Sequence, residues 1–311
     1  MRAMLLVNPK ATTTNSRTRD VLIRALGAAV ELTVEQTGYR GHAATLAGKA
    51  HAKGYDLVVV LGGDGTINET ANGLLNPVNG GGRPMLAVIP GGSANVFARA
   101  LGLPNDPVEA TGMVLEALQE DRTRTIGLGQ ASWEGRHRYF TFCAGLGYDA
   151  EVVRAVEGMR GNGRKATPAR YVMTAVRRYF QTDRRHPAMT LTGPGIPTAE
   201  GVFMAIVSNT SPWTYVGPKP VLPTPWASFE TGLDLLALRR LGLPAVLSLV
   251  RQLLQERDTW PKGRHLVQLH DEAEFTLAAE RPVAFQLDGD YLGELESVTF
   301  RSIPNALQIV V

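Results

Sequence analysis

Residues 56–69 read DLVVVLGGDGTINE, an acidic residue and five apolar residues followed by a glycine-rich turn. A continuous apolar run is expected for a central strand of a parallel sheet, which is covered on both faces. Glycines let the backbone approach a phosphate chain, and a helix beginning at Thr66 would turn its N–H groups toward that anion. The stretch therefore predicts an α/β sheet with an anion site at a strand end. The alternative is an ordinary strand-to-helix turn capped by Thr66.

The same alternation of strand and helix extends through residues 1–123. Short apolar runs are separated by longer helical patterns, which is typical of a parallel sheet with crossover helices. The predicted strands are Met4–Val7, Val30–Glu35, Asp56–Leu61 and Met85–Ile89. We therefore expect residues 1–123 to form an α/β domain.

The pattern changes after residue 123 to short strand-like runs separated by turn residues. These runs are Arg138–Cys143, Met189–Leu191, Val202–Ser208, Leu233–Leu238 and Ala273–Leu277. They predict a mainly antiparallel β-sandwich domain over residues 124–311. Helical patterns at Pro168–Phe180 and Pro244–Glu256 are expected as insertions in it.

The composition is that of a soluble globular protein. The chain has 311 residues, of which 44% are hydrophobic and 20% charged, which excludes disordered and fibrous classes and favours two domains. The net charge of +3 and the pI of about 9.1 are consistent with an anionic partner such as a nucleotide, a nucleic acid or an acidic bilayer.

Cysteine usage and hydropathy indicate the compartment. Cys143 is the single cysteine, so a disulfide framework and a cysteine metal cluster are excluded and a reducing, cytoplasmic environment fits best. The run Met1–Val7 lacks the pattern of a signal peptide, and no stretch approaches the roughly 18 apolar residues of a spanning helix. Membrane contact is therefore expected to be peripheral.

A second glycine-rich loop, PGGSAN at residues 90–95, follows the next predicted strand and precedes a predicted helix at Val96–Leu101. Glycine-rich turns at the same end of adjacent parallel strands converge on the crevice where open α/β sheets bind ligands. Together the two loops predict a polyphosphate site without the lysine of a Walker P-loop, whose pattern is absent.

Five segments together resemble the diacylglycerol kinase catalytic-domain family, which is related to sphingosine and ceramide kinases. They are Val7–Pro9, Gly62–Glu69, Pro90–Arg99, Gly145–Ala150 and Leu287–Asp290. The resemblance implies a nucleotide-binding α/β domain followed by a β-sandwich lipid-substrate domain. It also implies an ATP-dependent lipid kinase of phospholipid metabolism, which transfers the γ-phosphate of Mg-ATP to a hydroxyl of diacylglycerol or a related long-chain lipid.

Carried over residue by residue, the resemblance implies a nucleotide site and a catalytic base. Asp288 takes the position of the proton acceptor, and Asp290 is a candidate to contact the substrate or support Asp288. Asp64 would orient Mg²⁺ through water. Read without the family, Asp288-Gly289 is a β-hairpin turn. The residues implied to bind the nucleotide are Asn8, Thr37, Gly62, Gly63, Asp64, Gly65, Thr66, Asn68, Glu69, Gly92, Ser93 and Asn95.

Two departures from the family pattern keep other functions open. Val96 stands where relatives commonly have aspartate, and Thr231 stands where some bacterial relatives hold a structural magnesium through aspartate, although Glu230 or Asp234 could substitute. One alternative is a non-catalytic lipid or nucleotide sensor with the same fold. Another is an NAD kinase-like phosphotransferase, which also uses a GGDGT turn, although the residues after that turn favour the lipid kinases.

The segment Arg154–Arg185 is strongly basic, with nine basic residues against two acidic ones. Such a patch could dock on an anionic bilayer; the alternative is a solvated helix face with its aromatic residues in the core. The expected partner is a lipid substrate at the inner membrane surface, with no nucleic acid. The sequence does not decide the acceptor lipid or the oligomeric state, and a homodimer is compatible with it.

Overall fold

The computed structural model describes residues 1–9, 11, 15–75, 82–161, 187–255 and 258–311. The chain forms two compact units. Unit 1 consists of Met1–Gly127 together with Asn305–Val311, and unit 2 consists of Leu128–Pro304.

Unit 1 is built on a parallel sheet. Its first four strands are β1 (Arg2–Val7), β2 (Glu31–Gln36), β3 (Leu57–Gly62) and β4 (Met85–Pro90). They lie in the order β2-β1-β3-β4, and all neighbouring pairs run parallel. Every residue of β3 is buried, as its unbroken apolar sequence predicts for a central strand. The predicted parallel α/β sheet is confirmed.

Five helices lie in the described part of unit 1, where they connect or follow these strands. They are α1 (Ser16–Ala29), α2 (His42–Ala52), α3 (Asp64–Leu75), α4 (Val96–Ala100) and α5 (Pro107–Gln119). Helix α3 begins at Asp64, two residues before the expected start at Thr66, because a single residue, Gly63, suffices to turn the chain out of β3. Helices α2 and α3 approach closely, since a Cβ added at Gly73 would lie 2.2 Å from the Ala44 carbonyl oxygen.

Unit 2 is mainly antiparallel. Strands β5–β16 are Thr123–Trp133, Arg136–Phe140, Cys143–Gly147, Met189–Gly193, Ile196–Val202, Met204–Ser208, Thr214–Val216, Lys219–Val221, Leu233–Leu238, Leu266–Glu272, Glu274–Leu287 and Asp290–Val310. Six of them lie in the order β14-β13-β10-β7-β15-β16, with β8 and β9 added through β15 and with β5 and β6 paired. The predicted mainly β second part of the chain is confirmed.

Phenylalanine rings fill the core of unit 2. Phe300 contacts three other buried rings, with centroid separations of 6.2 Å to Phe140, 5.6 Å to Phe275 and 6.4 Å to Phe285. A Cβ at Gly129 would lie 2.1 Å from the ring of Phe140, so the paired strands β5 and β6 depend on glycine at this position. Aromatic clustering of this kind adds to the burial of apolar area.

Two helices of unit 2 lie in the described ranges: α6 (Tyr148–Gly161) and α7 (Leu243–Leu253). Helix α7 matches the predicted helix at Pro244–Glu256 except for its ends, whereas the predicted helix at Pro168–Phe180 lies outside the described residues. None of the described helices combines the length and apolar character that a membrane crossing requires.

The predicted single strand Arg138–Cys143 is wrong in one respect. The structure divides it into the end of β6 at Phe140 and the start of β7 at Cys143. The backbone N–H groups at this break donate to a carboxylate instead of continuing a strand ladder. A side chain distant in sequence therefore interrupts the strand.

Candidate active site

The two glycine-rich loops of unit 1 touch through their backbones at the carboxyl ends of β3 and β4. The Gly91 N–H donates to the Gly62 carbonyl oxygen at 2.8 Å, and a Cβ added at Gly92 would lie 2.7 Å from the Gly63 Cα. Side chains at these positions would force the loops apart. The glycines are therefore required by this contact, and they leave backbone at the surface where a ligand can approach it.

The amino terminus of α3 lies at this contact. Gly63 alone separates β3 from α3, and its carbonyl oxygen accepts from the N–H groups of Thr66 at 2.9 Å and Ile67 at 3.2 Å. The first N–H groups of a helix have no partner within the helix, and the helix dipole favours an anion beside them. The arrangement suits a phosphate group.

Three polar side chains of the predicted nucleotide site brace α3 against its neighbours. Asn8 Nδ2 donates to Thr66 Oγ1 at 3.0 Å and so joins the end of β1 to α3. Asp64 Oδ1 accepts from the Phe97 N–H at 3.1 Å and so joins α3 to α4. Unit 1 thus brings the predicted residues of three strand ends together.

Glu69 connects α3 to the beginning of α2. Its Oε1 accepts from the Gly41 N–H at 2.7 Å and its Oε2 from the Ala43 N–H at 3.2 Å. A carboxylate at a helix amino terminus is favoured by the dipole and satisfies N–H groups that the helix leaves unpaired. Glu69 therefore fixes the loop between β2 and α2, which contains Thr37.

The second loop is held by Asn95, which adopts the left-handed conformation with φ 48°. Asn95 Oδ1 accepts from the Gly92 N–H at 2.8 Å, and Nδ2 donates to the Gly92 carbonyl and to Asn105 Oδ1, each at 2.8 Å. Asn105 was not predicted from the sequence as a site residue. The sequence shows only that it precedes Asp106, the N-cap residue of α5.

The remaining predicted nucleotide residues differ in exposure. Ser93 is exposed in its loop, and Thr37 is half-buried just after β2, where its N–H donates to the Val7 carbonyl at 2.9 Å. Asn68 and Asn95 are fully buried, and Asn68 Oδ1 accepts from Asn72 at 3.2 Å. In the described protein these two asparagines support the helix and the loop, whereas Ser93 presents its hydroxyl at the surface.

Asp288 lies in the two-residue turn between β15 and β16. Asp288 and Gly289 have φ values of 48° and 80°, as a type I′ hairpin requires, so the turn predicted from Asp288-Gly289 is present. The side chain is only 6% exposed. It therefore points into unit 2 despite its position in a turn.

Four donors converge on the Asp288 carboxylate. Oδ2 accepts from the Thr141 N–H and hydroxyl, both at 2.7 Å, and Oδ1 accepts from the N–H groups of Phe142 and Cys143, both at 3.0 Å. Burial raises the pKa of the Asp288 carboxyl, and these hydrogen bonds oppose the rise. The carboxylate holds the break between β6 and β7 in place.

A second buried carboxylate, Asp149, lies at the start of α6. Gln286 Nε2 donates to Asp149 Oδ2 at 3.0 Å, and Gln286 Oε1 accepts from the Gly289 N–H at 2.9 Å, so Gln286 links Asp149 to the Asp288 turn. Burial raises the pKa of Asp149 to about 6. A Cβ at Gly145 would lie 1.8 Å from Asp149 Oδ2, which explains the glycine there.

Sequence reasoning gave Asp149 and Gln286 no role. Asp149 belongs to the quoted segment Gly145–Ala150, which was the one signal for it, and Gln286 precedes Leu287 without any pattern of its own. Asp290, the candidate to contact the substrate or support Asp288, forms an ion pair with Arg138, with 3.1 Å between Arg138 Nη2 and Asp290 Oδ2.

Two further predicted segments are the one around Thr231 and the basic one. Thr231 Oγ1 donates to the Ser228 carbonyl at 3.1 Å, and Asp234 is buried with its Oδ1 at 2.8 Å from His270 Nδ1. In the basic segment, Arg154 forms an ion pair with Glu294 at 2.7 Å, whereas residues 162–186 lie outside the described residues.

The chain is similar to known proteins in sequence and in fold. Residues 2–131 match the family model of the diacylglycerol kinase catalytic domain. A diacylglycerol kinase of Staphylococcus haemolyticus is 35% identical over 133 residues, which cover 43% of this chain and 37% of that protein. One of Staphylococcus aureus is 33% identical over 153 residues, which cover 49% and 45%. The chain thus spans less than half the length of these curated relatives.

The fold likeness extends over nearly the whole chain. A crystal structure of a diacylglycerol kinase from Bacillus anthracis aligns with a TM-score of 0.72 at 20% identity, covering 99% of this chain and 96% of that one. An NAD kinase from Archaeoglobus fulgidus in complex with ATP aligns with a TM-score of 0.52 at 14% identity, covering 100% and 94%. In sequence, residues 2–131 are therefore similar to the diacylglycerol kinase catalytic domain.

Proposed function

We propose that this protein is an ATP-dependent lipid kinase that transfers the γ-phosphate of Mg-ATP to a hydroxyl of diacylglycerol or a related long-chain lipid. The observation that carries the proposal is the backbone contact between the two glycine-rich loops at the start of α3, where a Cβ on Gly92 would lie 2.7 Å from the Gly63 Cα. The match of residues 2–131 to the diacylglycerol kinase catalytic domain supports the choice of a lipid acceptor.

Unit 1 supplies the nucleotide site. The phosphate chain would bind to the backbone of Gly62–Thr66 and of the Gly92–Asn95 loop, and to the exposed Ser93 hydroxyl. Thr37 directly follows β2, which belongs to the same sheet. Mg²⁺ in such sites is held largely by phosphates and water with one or two carboxylates, and the half-buried Asp64 beside the loops fits that role. When bound, the ion would neutralise charge on the transferred phosphoryl group.

Unit 2 supplies the base, which we assign to Asp288. A carboxylate accommodates about four hydrogen bonds, so the four donors now on Asp288 fill its acceptor sites. The Thr141 hydroxyl is the donor that can rotate away without leaving a backbone N–H unpaired. A substrate hydroxyl would take its place on Oδ2 and transfer its proton there as phosphate is attacked. The pKa of Asp288, raised by burial, favours that proton transfer.

Two other functions give different outcomes in the same assays. An NAD kinase-like activity is less well supported, because the fold likeness to an NAD kinase is weaker, with a TM-score of 0.52 against 0.72. A lipid or nucleotide sensor would bind its ligand without transfer. We place the activity on the cytoplasmic side, at an anionic inner-membrane surface, because the acceptor lipid resides in a bilayer.

The direct test incubates the purified protein with labelled ATP and a panel of acceptors: diacylglycerol, sphingosine, ceramide, polyprenol and phosphatidylinositol, with NAD as the counter-test. Gly63→Val should abolish ATP binding and transfer, because a Cβ there already lies 3.1 Å from the Gly92 Cα. Gly112→Val is the matched control, since a Cβ at Gly112 on α5 meets nothing within 4 Å. Labelled NAD without labelled lipid would refute the proposal, and so would lipid binding without transfer to any acceptor.

The base is tested by three substitutions. Asp288→Asn should reduce the transfer rate by about 10²- to 10⁴-fold while Mg-ATP binding is kept. Because asparagine would direct an NH₂ group at backbone N–H groups, its unfolding curve must be measured in parallel. Thr141→Val should keep turnover within about tenfold, since it removes only the donor that the substrate displaces. Asp290→Asn, which loses the charge of the ion pair with Arg138, should cost less than Asp288→Asn. Wild-type turnover in a folded Asp288→Asn protein would move the base elsewhere.

A further inference from the structure

Helix α7 has two rows of apolar residues, and among the residues that the structure describes one row is packed. Val246, Leu249 and Leu253 pack against a small core cluster that includes Leu238 and Trp260. A second row at spacings of four, three and four residues runs along the solvent side of the helix. It consists of Leu243, Leu247, Val250 and Leu254, which are 47%, 59%, 46% and 47% exposed. We call this row the α7 stripe.

Large aliphatic side chains scattered singly on a surface need no explanation, but a stripe along one helix does. Residues three and four apart lie on one side of a helix, so the four side chains form a continuous apolar line about three turns long. The packed face already anchors α7 to unit 2. The α7 stripe is therefore available to a partner.

Basic residues precede, lie on and follow helix α7. Arg239 and Arg240 precede the helix, Arg251 lies on it, and all three are exposed. The Gln252 side chain holds the backbone of Lys262 beside the helix, through hydrogen bonds of 2.9 Å to its carbonyl and 2.7 Å from its N–H. Residues 239–255 contain no acidic residue, and residues 239–270 contain six basic residues against two acidic ones.

A half-exposed tryptophan extends the apolar surface beyond the helix. Trp226 is 52% exposed, and its ring packs edge-on against Trp260, with centroids 6.0 Å apart. Its Nε1 donates to the Asp258 carbonyl at 3.1 Å, which fixes the ring. Tryptophan is enriched at membrane–water interfaces, because its ring is apolar and its N–H is polar.

We propose that α7 lies in the plane of an anionic lipid bilayer, with the α7 stripe among the acyl chains and the surrounding arginine and lysine side chains at the headgroup phosphates. An amphipathic helix with a basic rim has the chemistry of an interfacial segment. Each basic residue near such a surface raises the partition coefficient about fivefold. Docking through α7 would bring the protein to a lipid substrate in the bilayer, and this role rests on the proposed lipid kinase function. Docking itself requires neither ATP nor phosphate transfer.

A second copy of this chain fits the α7 stripe less well. A two-fold interface would place the same patch on both sides and bring like charges together, because residues 239–270 carry an excess of four positive charges. A stable dimer also buries about 800 Å² on each partner, more than one short row of side chains provides. An anionic bilayer satisfies both the charge and the shape of the patch.

The test measures binding of the full chain, without ATP, to vesicles of phosphatidylcholine with and without one quarter phosphatidylglycerol. Leu247→Glu should lower the partition coefficient at least about tenfold below that of the matched control Ser248→Glu. The control adds the same charge at an exposed position of the same helix outside the α7 stripe. Leu247→Gln, which adds no charge, should also weaken binding. Thermal unfolding of each variant verifies the fold, which substitution of an exposed leucine should preserve.

Three outcomes would overturn the proposal. The first is equal loss of binding in Leu247→Glu and Ser248→Glu, and the second is wild-type protein that binds neither vesicle. The third is sedimentation showing a dimer that Leu247→Glu dissociates, which would make the α7 stripe a self-association surface. Transfer to a short-chain, water-soluble diacylglycerol separates the two proposals. That activity should be unchanged in Leu247→Glu if docking alone is impaired, and absent in wild type if the lipid kinase proposal fails.

Discussion

Replacing Asp149 by asparagine should remove a pH-dependent destabilisation of the folded protein. Burial raises the pKa of Asp149 from 3.8 to about 6, so between these values the folded protein keeps a proton that the unfolded chain releases. The free energy of unfolding must therefore fall as pH rises through this window, since the native state binds more protons. The difference between 3.8 and about 6 corresponds to about 3 kcal/mol, absent at pH 3.8 or below and complete above pH 6.

Urea unfolding followed by tryptophan fluorescence is the assay. All four tryptophans, Trp133, Trp213, Trp226 and Trp260, belong to unit 2, as Asp149 does. Asparagine can still accept the hydrogen bond from Gln286, so the variant should be the more stable protein at pH 7, by up to about 3 kcal/mol, and should lose this advantage toward pH 4. A stability difference between wild type and Asp149→Asn that is constant from pH 4 to pH 7.5 would refute the reasoning.

Three further substitutions probe the contacts that shape the two sites. Gly92→Ala places a Cβ 2.7 Å from the Gly63 Cα and should weaken ATP binding at least about tenfold in a calorimetric titration. An unchanged affinity would show that ATP binding does not depend on the contact between the two loops. Glu69→Gln loses the charge-assisted hydrogen bonds that the Glu69 carboxylate accepts from two N–H groups at the start of α2, and this should lower the free energy of unfolding by about 1–3 kcal/mol in thermal unfolding. An unchanged unfolding temperature would show that Glu69 does not stabilise the start of α2. Gly145→Ala places a Cβ against the Asp149 carboxylate and should lower the free energy of unfolding by about 1–3 kcal/mol or more in urea unfolding. A variant as stable as wild type would show that Asp149 and Gln286 rearrange without a loss of stability.

Features that depend on local sequence could be predicted well. The strand expected at Leu233–Leu238 has those bounds in the structure, and Met85–Ile89 differs from β4 by one residue. Continuous apolar runs bounded by turn residues identify buried strands from a few neighbouring positions alone. The convergence of the two glycine-rich loops also followed, because neighbouring parallel strands end at one edge of a sheet.

Features that depend on distant partners could not be predicted. The break between β6 and β7 exists because Asp288, more than 140 residues away, accepts the N–H groups of residues 141–143. The pairing of Asp149 with Gln286 spans 137 residues. Such contacts leave no periodic pattern in either segment. Proton acceptance by Asp288 stays a prediction, while its role as a structural anchor appears only in the folded chain.

The composition of unit 1 has a consequence for its biosynthesis. Residues 305–311 complete its sheet, with Ile309 beside Leu86 of β4 and Val310 buried in its core. A ribosome makes these residues only after all of unit 2. The edge of β4 therefore stays unpaired while the intervening chain is synthesised. A fragment ending at residue 131, where the family match ends, would leave that edge open permanently. Exposed strand edges template aggregation, so such a fragment should be recovered from cells largely as insoluble material unless residues 305–311 are supplied as a separate peptide.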